Sequence, residues 1–334
     1  MRSARRSDPC RSVGYVQSVV AEATGRAYGV AAVAGRSELF GSLRGRASSG
    51  HTRQGKRPAF SRTWRPTGAV DRDVAGGSWY DAGAMRVTTL GTGAPLSPRA
   101  TTGLLVQAEG CEPLLIDACG GFELPRQLAR AGVPLAAIRN VLLTHRHMDH
   151  VGGMPALFLA DQPLALYASA DARAGVQELM AATFAEWPIH PEVRWHEVAA
   201  GERHAVGGFE VELFGVEHRV PTLAARVSRA GRTLAFSADS IPCDALVACA
   251  QAADLFLCDA LFAASDGPAR AARTRELMHP TGREAGELAA HAGARRLLLV
   301  HIGRLSTPEA ILAEAREAFG GPVDVAEDCQ TYSV

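Results

Sequence analysis

The sequence is nearly without lysine: Lys56 is the only one in 334 residues, and arginine carries every other basic charge. That bias reads as a property of the coding sequence rather than of the chemistry. There is no C-x-x-C pair either. Seven cysteines, an odd number with scattered spacing, argue against both a disulfide framework and a cysteine-built zinc knuckle. Reduced thiols and a cytoplasmic location are the expectation. No apolar run reaches the roughly 18 residues that a membrane-spanning helix needs, so no membrane partner is expected. What is present is 47% hydrophobic and 21% charged residues. That balance excludes collagen-like, coiled-coil and fully disordered chains, and the length allows one large domain or two modest ones.

The formal net charge of zero conceals a division. Residues 1–84 hold 14 Lys and Arg against 6 Asp and Glu, a surplus of +8, whereas residues 85–334 hold 21 against 29, a net −8. The first segment is rich in Arg, Gly and Ser, and from Ser42 to Gly68 it offers almost nothing to bury. A basic, disordered N-terminal extension is expected there, although an anion-binding tail or a transit sequence has the same composition. Met85 opens a strand pattern at once, so the functional domain is expected over 85–334. Its acidic balance does not favour a broad basic face for nucleic acid.

From Met85 onward short Val/Leu-rich runs alternate with helical periodicity. Strands are expected at Arg86–Leu90, Gly103–Gln107, Pro113–Asp117, Asn140–Thr144, Leu164–Tyr167, Phe209–Glu217, Ala224–Ser228, Thr233–Ser237, Leu255–Cys258 and Arg296–His301. Helices are expected at Glu123–Ala131, Met154–Leu159, Ala170–Phe184, Asp244–Gln251, Arg283–Ala292 and Pro308–Ala318. Thr281 with Glu284 three residues later is a capping box. The pattern implies an α/β fold in which helices cover sheets.

The chemistry is concentrated in Asn140-Val-Leu-Leu-Thr-His-Arg-His-Met-Asp-His-Val-Gly-Gly. A buried strand leads up to Thr144, and a strand-to-helix loop then delivers His145, His147, Asp149 and His150. Four such side chains within six residues do not belong to a core, because an unpaired buried His or Asp is costly and the histidines repel one another once charged. Imidazole and carboxylate together suit zinc or a similar divalent ion.

His145-Arg-His-Met-Asp-His resembles the signature of the metallo-β-lactamase superfamily, and the segments around it resemble its ribonuclease Z-like branch. Leu90-Gly-Thr-Gly-Ala-Pro follows the first strand as in that branch, and Leu115-Ile-Asp-Ala-Cys-Gly matches the early strand with a buried aspartate, Asp117. Val216-Glu-His-Arg-Val-Pro matches the third-histidine segment and points to His218. Phe236-Ser-Ala-Asp-Ser is similar to F-S-G-D-T and points to Asp239. Met278-His-Pro-Thr and Leu298-Leu-Val-His-Ile supply His279 and His301. Ala238 and Ser240 stand where the pattern has Gly and Thr, and Pro280 stands where it has Ser.

The resemblance implies an αββα sandwich of two mixed β-sheets flanked by helices, holding two divalent ions at one rim. Zn2+ fits best, with Mn2+ or Fe2+ as alternatives. By the same resemblance His145, His147 and His218 would hold one ion, Asp149, His150 and His301 the second, and Asp239 would bridge both with a shared hydroxide. Asp149 and His279 are assigned as catalytic, His279 as the general acid, and Asp117 as a hydrogen-bonding support for the metal loop. Taken singly, His218 could be a surface residue and Asp239 a turn residue, and the neighbouring capping box offers a structural reason for the His279 segment. Arg146 and Arg304 could meet a phosphate. His190, His196, His204 and His291 have no motif; His196 and His204 read as exposed strand and turn positions, and His291 as a helix end.

A metal-dependent phosphodiesterase acting on small anionic esters is the favoured activity. A ribonuclease Z-type endonuclease maturing tRNA 3′ ends and an arylsulfatase-like hydrolase are the alternatives. Lactonases and glyoxalases rank lower because their T-P-G-H segment is absent. A non-catalytic binding module is disfavoured because all seven metal-capable residues are present. Ribonuclease Z proteins commonly insert a basic arm, which grips tRNA, between the third histidine and the F-S-G-D-T strand. Only 21 positions separate His218 from Asp239, which leaves no room for one. Nucleic acid is therefore a disfavoured partner, and a homodimer is an open expectation.

Overall fold

A computed structural model describes residues 85–334. The basic extension expected over 1–84 lies outside the described residues. Two seven-stranded sheets face each other. The first holds β1 (Met85–Gly91), β2 (Gly103–Ala108), β3 (Leu114–Ile116), β4 (Asn140–Leu143), β5 (Leu164–Ala168), β6 (Val193–Glu197) and the last strand, β14 (Gln330–Ser333), in the order β14-β1-β2-β3-β4-β5-β6. The second holds β7 (Arg203–Val206), β8 (Phe209–Val216), β9 (Thr222–Arg229), β10 (Arg232–Phe236), β11 (Leu255–Asp259), β12 (Leu297–Val300) and β13 (Val323–Val325), with neighbours following chain order.

Each sheet changes direction halfway. In the first, β1, β2 and β3 pair antiparallel, and β3 through β6 are parallel. In the second, β7 through β10 are antiparallel, and β10 through β13 are parallel. Parallel strands buried on both faces read as continuous apolar runs, as in Leu297-Leu-Leu-Val. Alternation then separates the layers. Leu104, Val106 and Leu142 enter the core between the sheets with Phe209, Val211 and Phe236. Leu105, Val141 and Leu143 point outward beneath α1 (Glu123–Arg130), α3 (Met154–Leu159) and α4 (Ala170–Thr183). On the far face Phe256, Cys258, Leu297 and Leu299 pack under α5 (Asp244–Ala250), α7 (Gly282–Ala292) and α8 (Pro308–Phe319). Helices α7 and α8 touch through two glycines: a Cβ on Gly282 would lie 2.4 Å from the Ile311 carbonyl oxygen, and one on Gly286 would lie 2.6 Å from that of Ala315. Among the described residues no helix is long and apolar enough to cross a membrane.

The ten expected strands and six expected helices are present with ends shifted by a few residues. Four strands and two helices were not anticipated. β6, β7 and β14 are largely exposed edge strands, and β13 has three residues, so none shows a clear apolar period. Helix α6 (Pro268–Leu277) buries only Thr274, and α2 (Met148–Val151) is a single turn inside the histidine motif. His204 lies within β7 rather than in a turn. The parallel strands β3, β4, β10, β11 and β12 all end on one rim, and the chemistry gathers there.

Candidate metal centre

The site is built by the first residues past those strand ends. Asp117 follows β3, and its backbone sits in the left-handed region at φ 59°. Its carboxylate accepts from the Thr144 amide at 2.9 Å, the Thr144 hydroxyl at 2.8 Å and His150 Nδ1 at 2.7 Å. The hydroxyl proton of Thr144 is thus committed to Asp117, so Thr144 Oγ1 accepts from His145 Nδ1 at 3.0 Å. His218 Nδ1 donates to the Met278 carbonyl at 3.2 Å. A carboxylate or carbonyl can only accept, which assigns the Nδ1 proton in each ring. His145, His150 and His218 therefore all turn an unprotonated Nε2 inward when neutral. Asp117 is a support, as expected.

Those nitrogens converge. His147 Nδ1 lies 3.0 Å from His145 Nε2 and 3.2 Å from His218 Nε2. A single proton on His147 Nδ1 can serve only one of those two acceptors fully, and His150 Nε2 is buried with no hydrogen-bond partner. Asp239 Oδ2 stands among them, 3.7 Å from His145 Nε2, 3.3 Å from His150 Nε2, 3.8 Å from His218 Nε2 and 3.4 Å from His301 Nε2. Asp149 Oδ2 is 3.3 Å from His301 Nε2 and 3.5 Å from His150 Nε2. The result is three overlapping four-residue clusters that could hold a divalent ion: His145–His147–His218–Asp239, Asp149–His150–His301–Asp239 and, sharing two residues with the second, Asp239–Asp259–His279–His301. Inward-facing imidazole nitrogens around shared carboxylates are a donor set that fits such ions.

The electrostatics divide the same way. Burial pushes His145, His147 and His218 below the ordinary imidazole range, so the first cluster offers neutral rings. Burial would also lower His150 and His301, but the surrounding carboxylates outweigh it. Asp239, Asp149 and Asp117 raise His150, and Asp239 and Asp259 bring His301 up to about 10. Burial opposes ionisation of Asp149 and Asp239 as well, yet the facing histidines hold both well below the usual carboxylate range.

A further pair adjoins the second cluster. His279, buried between α6 and α7, donates Nδ1–H to Asp259 Oδ2 at 2.6 Å, and its ring stacks on that of His301 with centroids 4.9 Å apart. Asp259 Oδ1 lies 3.4 Å from His301 Nδ1. Asp259 is not among the residues the sequence motifs point to: the expected strand stops at Cys258, whereas β11 runs one residue further to Asp259. The available signal was its register, for Asp259 pairs with Val300 and so ends β11 beside the residue that precedes His301. Asp117, Ala238, Met278 and His301 all have left-handed backbones, with φ of 59°, 52°, 64° and 56°. Such strain clusters at functional sites, and at Ala238 it explains why the resembling pattern carries Gly. Arg146 is paired with Asp171 at 3.3 Å, whereas Arg304 is exposed on the rim. His190, His196, His204 and His291 stay outside the site; His196 stacks on Tyr167 at 4.5 Å.

An αββα sandwich with histidine–aspartate clusters on one rim defines the metallo-β-lactamase fold and a hydrolase class. Residues 113–302 match the family described as Beta-lactamase superfamily domain, and the chain belongs to that superfamily, in its ribonuclease Z-like branch. A ribonuclease Z of Natronomonas pharaonis is 30% identical over 310 residues, covering 75% of this chain and 98% of the relative. An uncharacterized protein of Mycobacterium tuberculosis is 31% identical over 273 residues, covering 75% of this chain and 93% of the relative. The crystal structure of the metallo-beta-lactamase fold protein YhfI from Bacillus subtilis superposes with a TM-score of 0.64 at 25% identity, over 75% of this chain and all of that one.

Proposed function

We propose that the chain is a dinuclear metal hydrolase that cleaves small phosphodiesters. The observation that carries this reading is Asp239, one carboxylate shared by two clusters of imidazoles whose free nitrogens face it within 3.8 Å. His145, His147 and His218 would hold one ion, Asp149, His150 and His301 the other, and Asp239 both; nitrogen-rich clusters with few carboxylates favour zinc, with manganese or iron as alternatives. Bound there, the ions would supply Lewis acidity and a water acidified toward neutral pH. Asp117 and Thr144 keep the imidazoles turned inward. Asp149, beside both His150 and His301, offers a carboxylate that can accept a proton from the attacking water. His279, held at Nδ1 by Asp259, would carry a second proton on Nε2 as the imidazolium, give that proton to the leaving oxygen and remain as the neutral ring with Nδ1–H on Asp259.

Two features favour a small diester over tRNA. Between His218 and Asp239 the chain forms β9, a turn at Ala230–Gly231 and β10, which leaves no length for a gripping arm. The 310-residue alignment with the Natronomonas ribonuclease Z engages only 75% of this chain, so that relative carries segments absent here. The domain's net −8 over residues 85–334 also opposes a ligand bound through many phosphates. A tRNA 3′-processing activity is the second reading, favoured by the 30% identity to that same ribonuclease Z. The deciding measurement is kcat/KM on bis(p-nitrophenyl) phosphate and a cyclic nucleotide against precursor tRNA and p-nitrophenyl sulfate. Preference for the small diesters supports the proposal; preference for precursor tRNA or for the sulfate ester overturns it.

A further inference from the structure

Six large apolar side chains are exposed among the described residues: Leu96, Phe122, Met148, Trp187, Ile189 and Leu305. Trp187 and Ile189 lie between α4 and β6, at the end of the first sheet away from the metal centre. Of the other four, Met148 opens α2, Phe122 and Leu305 follow the strand ends that supply Asp117 and His301, and Leu96 lies in the loop between β1 and β2. Met148 immediately precedes Asp149. Phe122 follows a Gly120–Gly121 pair packed on the same turn, since a Cβ on Gly152 would lie 2.6 Å from the Gly121 nitrogen and one on Gly120 would lie 3.8 Å from Asp149 Cα.

Leu96 belongs to the β1–β2 loop, which is tied to the segment after His301: the Ala94 amide donates to the Ile302 carbonyl at 3.2 Å, and the Ile302 amide donates to the Thr92 carbonyl at 2.9 Å. Leu305 is three residues further on. The two halves of this arrangement are joined where the Gly120 amide donates to Thr101 Oγ1 at 2.6 Å.

Single exposed apolar residues are ordinary; here four of the six belong to segments that flank one polar site. Leu96 is 80% exposed and Met148 55%, so the fold itself gains little from either. Arg304 stands exposed beside Leu305, with no hydrogen bond or ion pair among the described residues. A single diester charge is complementary to that arginine and to a cation-holding centre. Further charges on the ligand would meet apolar side chains and an acidic domain.

We propose that Leu96, Phe122, Met148 and Leu305 form a collar that selects phosphodiesters bearing apolar or aromatic ester groups, with Arg304 meeting the diester charge. This rests on the phosphodiesterase reading above and names its substrate class. The collar contacts the ester group that does not leave, so selectivity follows that group while the chemistry at phosphorus is unchanged.

The test compares phenyl p-nitrophenyl phosphate with methyl p-nitrophenyl phosphate, which share a leaving group, using the full zinc-loaded chain. Losing two apolar contacts is worth about tenfold in binding. A Leu96→Ser/Phe122→Ser variant is therefore expected to lower the phenyl-to-methyl ratio of kcat/KM by about that factor, and Trp187→Ala to leave it unchanged. Calorimetric binding of diphenyl phosphate against dimethyl phosphate reads the collar without turnover and should show the same loss. If neither ester is hydrolysed but diphenyl phosphate binds in a collar-dependent way, the phosphodiesterase reading fails and the collar stands. If both esters are hydrolysed with the ratio unchanged in the double variant, the collar is overturned. An unchanged ratio together with conversion of a dimer to a monomer would make this surface an interface between copies, and would equally overturn it.

Discussion

His279 Nδ1 and Asp259 Oδ2 are 2.6 Å apart although twenty positions separate them in sequence. The carboxylate can only accept, so the imidazole proton lies between them and the ring's other nitrogen is free for proton transfer. His279→Ala is expected to lower kcat by about 100- to 10,000-fold on esters with poor leaving groups, and by much less on p-nitrophenyl esters. Metal content should stay at the wild-type level. Asp259→Asn should reproduce the leaving-group dependence with a smaller loss, because it disturbs the ring's orientation and charge rather than removing it. Loss of metal from His279→Ala would make that residue structural instead.

Asp239 is common to the His145–His147–His218 and Asp149–His150–His301 groups, whereas His301 is absent from the first of them. Elemental analysis of purified protein should give about two ions per chain in the wild type, neither in Asp239→Ala, and mainly the first in His301→Ala. Wild-type protein that binds no added zinc would defeat the central claim.

The metal-free and metal-loaded chains should respond to pH in opposite directions. In the metal-free chain His301 is raised to about 10 by Asp239 and Asp259 against the opposing effect of burial. Its stabilising contribution is complete below the unfolded value of about 6.5 and is lost as pH climbs through the folded one. Asp149 and Asp239 are depressed by the facing histidines, although burial pulls the other way. They contribute above an unfolded value of about 3.9, and that contribution is lost as acid reaches their folded values. Binding a cation requires deprotonated imidazoles, so the stabilisation from zinc grows with pH. Burial depresses His145, His147 and His218, and the penalty for that is gone once pH exceeds their unfolded value of about 6.5. Thermal melts from about pH 7.5 to 9 should therefore show Tm falling in chelator and the zinc-dependent gain in Tm rising. Parallel trends in the two conditions would contradict the placement of the ions on His150 and His301.

Most of this architecture was legible because buried parallel strands announce themselves by apolar runs and because ligand residues follow them directly. Leu298-Leu-Val-His and Phe236-Ser-Ala-Asp place His301 and Asp239 at strand ends from the sequence alone. What escaped notice lacked such contrast. β14 is Gln-Thr-Tyr-Ser, held as an edge by pairing with β1, and tertiary pairing leaves no period in the sequence. Asp259 ends an apolar run just as His301 does, but no motif surrounds it, and only the alignment of β11 with β12 brings it to His279. The apolar collar was invisible for a related reason. Leu96 and Phe122 are far apart in the chain, and exposure is a property of the assembled rim.

The last prediction concerns where the working domain begins. Met85 is the first residue of β1, which is flanked by β14 and β2 on its two edges, and Met85 itself is fully buried in the core between the sheets. A chain starting there would place its terminus at a strand that the sheet closes on both sides, and it would retain every residue of both clusters. We expect the protein from Met85 to give a cooperative melt, to bind the same number of ions, and to cleave small diesters with kcat/KM like that of the full chain, since it keeps every side chain that builds the site. The +8 of residues 1–84 matters only for a polyanion. If it substitutes for the missing arm, the full chain will process precursor tRNA and the shortened one will lose that activity as steeply as salt removes it. If neither chain processes precursor tRNA while both cleave small diesters, the extension has no part in the reaction. Aggregation of the shortened protein, or loss of its diester activity, would show instead that the domain needs residues before Met85.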